Sequence, residues 1–174
     1  MLMNNSPSIR YAHPAPYPPV QVSAQNPAYA RQMLSNIGSA NSEMSAISLY
    51  LYNAQVTGCA FEEISSCFYQ IGMVEMHHLD IFGKLALKLG ADPRLWSWQN
   101  RQRVYWTPGF NQYPREIKAL LTNAITGEKA AILKYQSQIA CIEDPDIVAI
   151  LKRILLDEEL HVEIFTGLYE TYAC

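Results

Sequence analysis

Two stretches of sequence, VEMHHLDIF at residues 74–82 and DEELHVEIF at residues 157–165, decide how this chain folds. Each contains Glu-x-x-His within a run of mostly apolar residues. Side chains three residues apart lie on the same face of a helix, and in both stretches that face is otherwise apolar. Burying an ionised carboxylate without a partner costs several kcal/mol. The pattern therefore requires a group that neutralises the glutamates.

The core-facing positions of these two helices match at a constant offset of 83 residues. In both, the apolar series is interrupted at the same two places, by Glu75 and His78 in one helix and by Glu158 and His161 in the other. Two further helices match at an offset of 85 residues, which pairs the remaining candidates. These pairs are Glu43 with Glu128 and Tyr50 with Tyr135. Each glutamate lies near the middle of its helix, so helices packed side by side bring all four to one level.

The spacing of apolar residues predicts an all-α fold of four long helices, with three tryptophans packing the connection between the second and third against the bundle. The predicted helices run from Pro27 to about Thr57, from about Ala60 to Leu89, from near Pro114 to near Cys141, and from Pro145 to about Tyr172. Short links join the first pair and the last pair. This pattern predicts a four-helix bundle over residues 28–174 with a long crossover between helices two and three.

Residues 1–27 are rich in proline and lack a helical period. They are predicted to form an extended N-terminal arm. Two alternatives stay open for this arm, a free tail or a strap across a partner subunit.

Metal ions are the neutralising group that the core positions favour, because those positions contain no lysine or arginine. Two divalent cations would balance four carboxylates, with two imidazoles as neutral nitrogen ligands. The predicted metal ligands are Glu43, Glu75, His78, Glu128, Glu158 and His161. This set suits two iron ions, or alternatively two manganese ions, better than tetrahedral zinc. The competing interpretation is that the glutamates share protons and the histidines bond to carbonyls.

Composition excludes several classes of protein. The net charge is −3 and the basic residues are scattered, which predicts neither a nucleic-acid partner nor a basic membrane anchor. No segment approaches the roughly 20 apolar residues of a membrane span, and the N-terminus lacks a signal core, so we expect a cytoplasmic protein. The four cysteines form no CxxC pair, which argues against a rubredoxin-type or zinc-knuckle module.

These motifs resemble the ferritin-like di-iron carboxylate superfamily, which includes bacterioferritins, rubrerythrins and manganese catalases. SEMSAISLYLYNA, at residues 42–54, is similar to the first ligand helix of that superfamily, and EMHHLD and DEELH are similar to the second and fourth. The resemblance implies a ferritin-like four-helix bundle in which Glu75 and Glu158 bridge the two metals. It also implies that Asp157 orients the opposing histidine, His78.

Other expectations concern residues around the predicted metals. Tyr50 and Tyr135 are expected to be buried, with hydroxyls that bond to a ligand glutamate or serve as one-electron donors. Met76 matches the methionine that binds haem in bacterioferritins, but haem is not expected here. Rubrerythrins carry a further glutamate where this chain has Ala131. Without a rubredoxin module, electrons would come from a separate donor.

The predicted function is that of an oxidoreductase that reduces or disproportionates hydrogen peroxide, or reduces dioxygen, with the four glutamates as catalytic ligands and proton carriers. One alternative is a ferroxidase or iron-storage protein, which is disfavoured because no fifth helix is expected after Tyr172. Another is a metal-stabilised structural subunit without catalysis. Oxidation of an organic substrate is disfavoured because large apolar residues are expected to fill the core around the metals. In every case a homodimer or larger homo-oligomer is expected.

Overall fold

A computed structural model describes residues 10–173 of the chain, and the first nine residues of the predicted arm lie outside that range. The elements are α1 (Pro27–Gly38), α2 (Glu43–Thr57), α3 (Glu62–Lys88), β1 (Trp96–Gln99), β2 (Gln102–Tyr105), α4 (Ile117–Cys141) and α5 (Pro145–Tyr172). Among these helices none is both long enough and apolar enough to cross a membrane.

The helices form the predicted bundle. Helices α2 and α3 pair as one hairpin and α4 and α5 as another, with α3 facing α5 and α2 facing α4. Two apolar clusters fill the interior, one built on Ile64 to Ile71 of α3 and the other on Ile81 to Ala86 of the same helix. The Glu-x-x-His motif lies between them, so the two clusters enclose it along the bundle axis. The predicted all-α four-helix fold with a long crossover is confirmed.

The predicted helix starts at Pro27 and Pro145 are both found in the structure. The Asn26 side chain accepts hydrogen bonds from the backbone amides of the first turn of α1, directly before Pro27. Asp144 does the same for α5, directly before Pro145, and also accepts from the backbone amide of Ser23 in the arm. The carboxylate of Asp144 therefore fixes the start of α5 and the end of the arm together.

The prediction of one continuous helix from Pro27 to about Thr57 is wrong. Helix α1 ends at Gly38, and a new N-cap, Ser42, accepts a hydrogen bond from the amide of Ser45 to begin α2. The break is stabilised by Lys134, whose Nζ donates to the carbonyls of Ser35 at 3.0 Å and Asn41 at 2.7 Å. Those carbonyls lie on either side of the break, so a lysine on α4 joins the end of α1 to the start of α2.

The crossover contains a β-hairpin that the sequence analysis did not predict. Strands β1 and β2 pair antiparallel, and Asn100 and Arg101 form the turn with positive φ values of 49° and 65°. Trp96 is buried, and Trp106 donates its indole N–H to Ser45 Oγ. Trp98 is 42% exposed, so two of the three tryptophans, rather than all three, attach the crossover to the bundle.

Residues 10–26 lie across their own bundle. Tyr17, Val20 and Val22 pack against one apolar cluster and Tyr11 against the other. Arg153 of α5 anchors the arm by donating to the carbonyls of Ala15 at 2.6 Å and His13 at 2.7 Å. The described part of the arm is therefore neither a free tail nor a strap across a partner subunit, because it covers the subunit to which it belongs.

Close packing of the crossover on α1 predicts the effect of a small substitution. A Cβ on Gly38 would lie 2.4 Å from the backbone N of Trp96, which cannot move aside without shifting β1. We expect Gly38→Ala to lower the free energy of unfolding by roughly 1–3 kcal/mol in urea denaturation. Gly167→Ala is the matched control, because a Cβ on this helical glycine meets nothing within 4 Å. That variant should be more stable by up to about 1 kcal/mol, and equal effects at the two positions would contradict the packing argument.

Candidate metal centre

Six side chains from four helices converge at the middle of the bundle, as the sequence predicts. The expectation that each glutamate lies near the middle of its helix is wrong for Glu43, which is the first residue of α2 because of the break before Ser42. Each of the six side chains has at most 3% of its surface exposed. They are Glu43 on α2, Glu75 and His78 on α3, Glu128 on α4, and Glu158 and His161 on α5. The heptad positions of the helices bring them together, since each lies on the face of its helix that points into the bundle.

The six residues form two overlapping groups, within each of which one potential ligand atom per residue lies within 4.8 Å of the others. Glu43 and His78 belong only to the first group, and Glu128 and His161 only to the second. Glu75 and Glu158 belong to both. This is the arrangement expected of two adjacent cation sites that share two carboxylates.

Each shared glutamate offers one oxygen to each histidine. Glu75 Oε2 lies 2.9 Å from His78 Nδ1, and its Oε1 lies 2.9 Å from His161 Nδ1. Glu158 Oε1 lies 3.3 Å from His78 Nδ1, and its Oε2 lies 3.5 Å from His161 Nδ1. Each imidazole thus directs Nδ1 to the space between the central carboxylates.

Electrostatics of the bare protein reflect the crowding of four acids around two bases. Burial, together with the charges of Glu75 and Glu158, raises the pKa of Glu43 and of Glu128 well above the usual range. Burial also opposes ionisation of Glu75, but His161 and His78 outweigh it and lower the pKa of that carboxyl. The neighbouring carboxylates likewise overcome burial and raise the pKa of both histidines. Without cations, the centre stays neutral only by retaining protons.

Several buried polar atoms of the centre lack a hydrogen-bond partner. They are Glu75 Oε1, both carboxylate oxygens of Glu158, and His161 Nδ1. His161 Nδ1 and Glu75 Oε1 are close, but they are not aligned as donor and acceptor. A buried polar atom left unpaired costs about 1–3 kcal/mol, and these four face the same small space. Oxygen and nitrogen atoms gathered in this way fit iron or manganese ions.

The outer nitrogen of His78 is held by Asp157, as the resemblance implies, and also by the arm. Nε2 lies 3.0 Å from Asp157 Oδ2 and 3.1 Å from the hydroxyl oxygen of Tyr17. Tyr17 also donates to the same carboxylate, and the backbone amide of His13 donates to its other oxygen at 2.7 Å. Buried Arg153 pairs with Asp157 at 2.8 Å. A lysine- and arginine-free core was predicted, and this arginine lies directly behind the centre instead.

His161 has a different support at its outer nitrogen. In the sequence repeat, the residue corresponding to Asp157 is Val74, which cannot accept a hydrogen bond. The structure replaces it with the arm, because His161 Nε2 donates to the backbone carbonyl of Tyr11 at 2.9 Å. Both imidazoles are thereby oriented with Nδ1 towards the carboxylates. Tyr11 acts through its backbone, which gives no sequence signal, and nothing in the pattern singles out Tyr17.

The two predicted tyrosines bind the outer glutamates across the bundle. Tyr50 on α2 donates to Glu128 on α4, and Tyr135 on α4 donates to Glu43 on α2. Burial raises the pKa of both phenols well above the usual range, so they remain proton donors. Each hairpin therefore positions the glutamate of the other.

A cavity of about 390 Å³ opens onto the centre between α2 and α4. Glu43, Glu128 and Glu158 border it on the inside, and Ala46 and Ala131 line its walls. The large apolar residues predicted to fill the core are fully buried; they are Ile71, Phe82, Ile154 and Phe165. They pack above and below the centre and leave this side open. The expectation that the core has no room for an organic molecule is therefore wrong.

Met76, the position that corresponds to a haem ligand in bacterioferritins, lies away from the centre. Its side chain is 47% exposed on the outer face of α3, where it lines a small apolar groove with Met73 and Leu51.

Comparison with known proteins agrees with this architecture. Two crystal structures of KatB, a manganese catalase from Anabaena, superpose on the chain with TM-scores of 0.82 and share 21% and 20% of its sequence. Each match covers 95% of this chain and 81% of KatB. A search of curated proteins finds no match. The sequence model of the Rubrerythrin family matches residues 38–169, which contain all six converging side chains. The chain belongs to the Rubrerythrin family.

Proposed function

We propose that the protein binds two redox-active metal ions in this centre and consumes hydrogen peroxide. The observation that carries the proposal is the pair of buried ligand groups that share Glu75 and Glu158. Glu43 and His78 would complete one metal site, and Glu128 and His161 the other. When bound, iron or manganese would supply and recover the electrons needed to cleave the O–O bond.

The protein's own residues define where the chemistry takes place. The apolar clusters cover the centre along the bundle axis and the arm covers its histidine side, which leaves the cavity between α2 and α4 as the route for peroxide. Glu43 and Glu128 border this route, so their carboxylates are placed to accept and return protons. The hydroxyls of Tyr50 and Tyr135 hold these two carboxylates in place.

We favour manganese as the metal and disproportionation of hydrogen peroxide as the reaction. The likeness to KatB, a manganese catalase, supports it at the level of the fold. Disproportionation converts two molecules of hydrogen peroxide into two of water and one of dioxygen. It needs no separate electron donor, whereas reduction of peroxide to water alone does.

An oxygen electrode tests the activity directly. Protein analysed for metal and supplied with hydrogen peroxide should release one dioxygen for every two peroxides consumed. Consumption that depends on an added reductant and releases no dioxygen would instead assign a peroxidase. Slow oxidation of added Fe(II) with accumulation of ferric mineral would favour the ferroxidase alternative. Loss of neither peroxide nor Fe(II) would contradict the proposal.

The third-helix ligand can be tested by metal content. Glu128 belongs to only one ligand group, so Glu128→Ala should reduce the metal bound from two ions per chain to about one while helical content by circular dichroism stays the same. Glu159→Ala is the control, because Glu159 is exposed and directly follows the candidate ligand Glu158 on α5. If both variants bind as much metal as the parent, Glu128 is not a ligand.

The arm is expected to affect metal binding through His78. Tyr17→Phe removes the hydroxyl that contacts both His78 and Asp157. Loss of such an outer hydrogen bond should weaken metal binding by roughly tenfold, measured by competition with a chelator. Tyr113→Phe is the matched control, since its hydroxyl donates to the carbonyl of Pro108 in the crossover. Equal metal affinity in the two variants would mean that Tyr17 does not support the ligand.

A further inference from the structure

Resting on the proposed peroxide chemistry, we propose that the cavity between α2 and α4 admits neutral organic hydroperoxides and that the centre reduces them to alcohols. The size of the cavity is the first argument. At about 390 Å³ it is far larger than hydrogen peroxide requires, since one water occupies about 30 Å³. It falls within the range of roughly 300–1,000 Å³ found for sites that bind small organic molecules.

Small side chains keep the inner part of the cavity open. Ala46 and Ala131 each follow a candidate ligand, Glu43 or Glu128, by three residues, so each lies one helical turn further along the same face. The two alanines correspond in the sequence repeat and line the cavity from opposite helices. Gly127 adds no side chain beside them. A substrate tail wider than a peroxide can therefore lie between the two helices.

The residues that line the cavity favour an uncharged substrate. Beyond the glutamates of the floor, the residues that line the cavity are uncharged, and they include no lysine or arginine. The lining therefore holds no cationic side chain that could pair with an anionic substrate. Polar groups near the crossover are already engaged, because Asn111 donates to the carbonyl of Ser45 and Asn123 to that of Gln112. What remains for a ligand is mainly the apolar surface of alanines, Leu49 and Phe110.

A hydroperoxide fits this shape better than a substrate whose carbon must be oxidised. Its reactive O–O group is at one end of the molecule and can reach the floor while the organic tail points towards the open side. Oxidation of a C–H bond would require that carbon to be fixed at the floor, and beyond the glutamates the lining offers no charged side chain to hold a substrate there.

The reaction balances with hydrogen peroxide, the substrate of the proposed function, as the reductant. A hydroperoxide ROOH, two electrons and two protons give the alcohol ROH and water. The O–O bond breaks, and each oxygen gains a proton. When bound, the divalent metal pair would supply the two electrons, and the protons would come from water through the open side of the cavity. Hydrogen peroxide, which gives up two electrons and two protons to become dioxygen, would reduce the pair again.

Cumene hydroperoxide and its alcohol product, cumyl alcohol, are suitable probes. The metal-loaded protein should bind cumyl alcohol, measured by calorimetry, with the ring located in the cavity in a crystal. In a single turnover without dioxygen, it should form one cumyl alcohol per metal pair from cumene hydroperoxide, measured by chromatography.

Filling the cavity gives the decisive comparison. Ala131→Leu, or Ala46→Leu on the opposite wall, should weaken binding of cumyl alcohol by roughly tenfold or more and lower the rate with cumene hydroperoxide relative to hydrogen peroxide. Ala140→Leu makes the same change at an exposed position of α4 outside the cavity and should match the parent.

The outcomes separate this inference from the proposed function. If the parent consumes hydrogen peroxide but neither binds cumyl alcohol nor reduces cumene hydroperoxide, the inference is overturned and the proposed function stands. Binding of the alcohol without reduction of the hydroperoxide also overturns the substrate class. If the parent consumes neither peroxide, the proposed function itself fails.

Discussion

The crowding of four carboxylates and two imidazoles into one buried layer of the bundle is the constraint on which the rest of the structure depends. Like charges this close cannot all ionise in a medium of low dielectric constant without cations or protons. The apolar clusters on either side enclose the layer, and the tyrosines hold its outer glutamates by hydrogen bonds between the two hairpins. Stability of the bundle therefore depends on neutralisation of the centre, and the centre depends on the bundle for the positions of its side chains.

The helical bundle and the six converging residues could be predicted because they obey a period that repeats twice in the chain. Positions that face the core recur every three or four residues, and a glutamate that interrupts them is visible in the sequence. The break before Ser42 could not be predicted in this way, because it depends on Lys134 and on a close approach by Trp96. Both residues are distant in sequence. The cavity was missed for a related reason, since small residues line a space without marking it.

The repeat is symmetric in its candidate ligands but not in what surrounds them. Asp157 stands behind His78, whereas a backbone carbonyl of the arm stands behind His161. The arm thus supplies the hydrogen-bond acceptor for His161, whereas α5 supplies the one for His78. The result is a centre with a closed side, formed by the arm and Arg153, and an open side between α2 and α4. Within residues 10–173, two similar hairpins thereby form a site that a small molecule reaches from the side between α2 and α4.

The arm's contacts also bear on how the protein is made. Tyr11 and His161 are 150 residues apart, and His13 and Asp157 are 144 residues apart. The arm leaves the ribosome before α5, so these contacts cannot form until α5 has been synthesised. Pairings so distant in sequence are slow to form. The shielded side of the centre therefore forms only after α5 has been made, because Asp157 and His161 both lie on that helix.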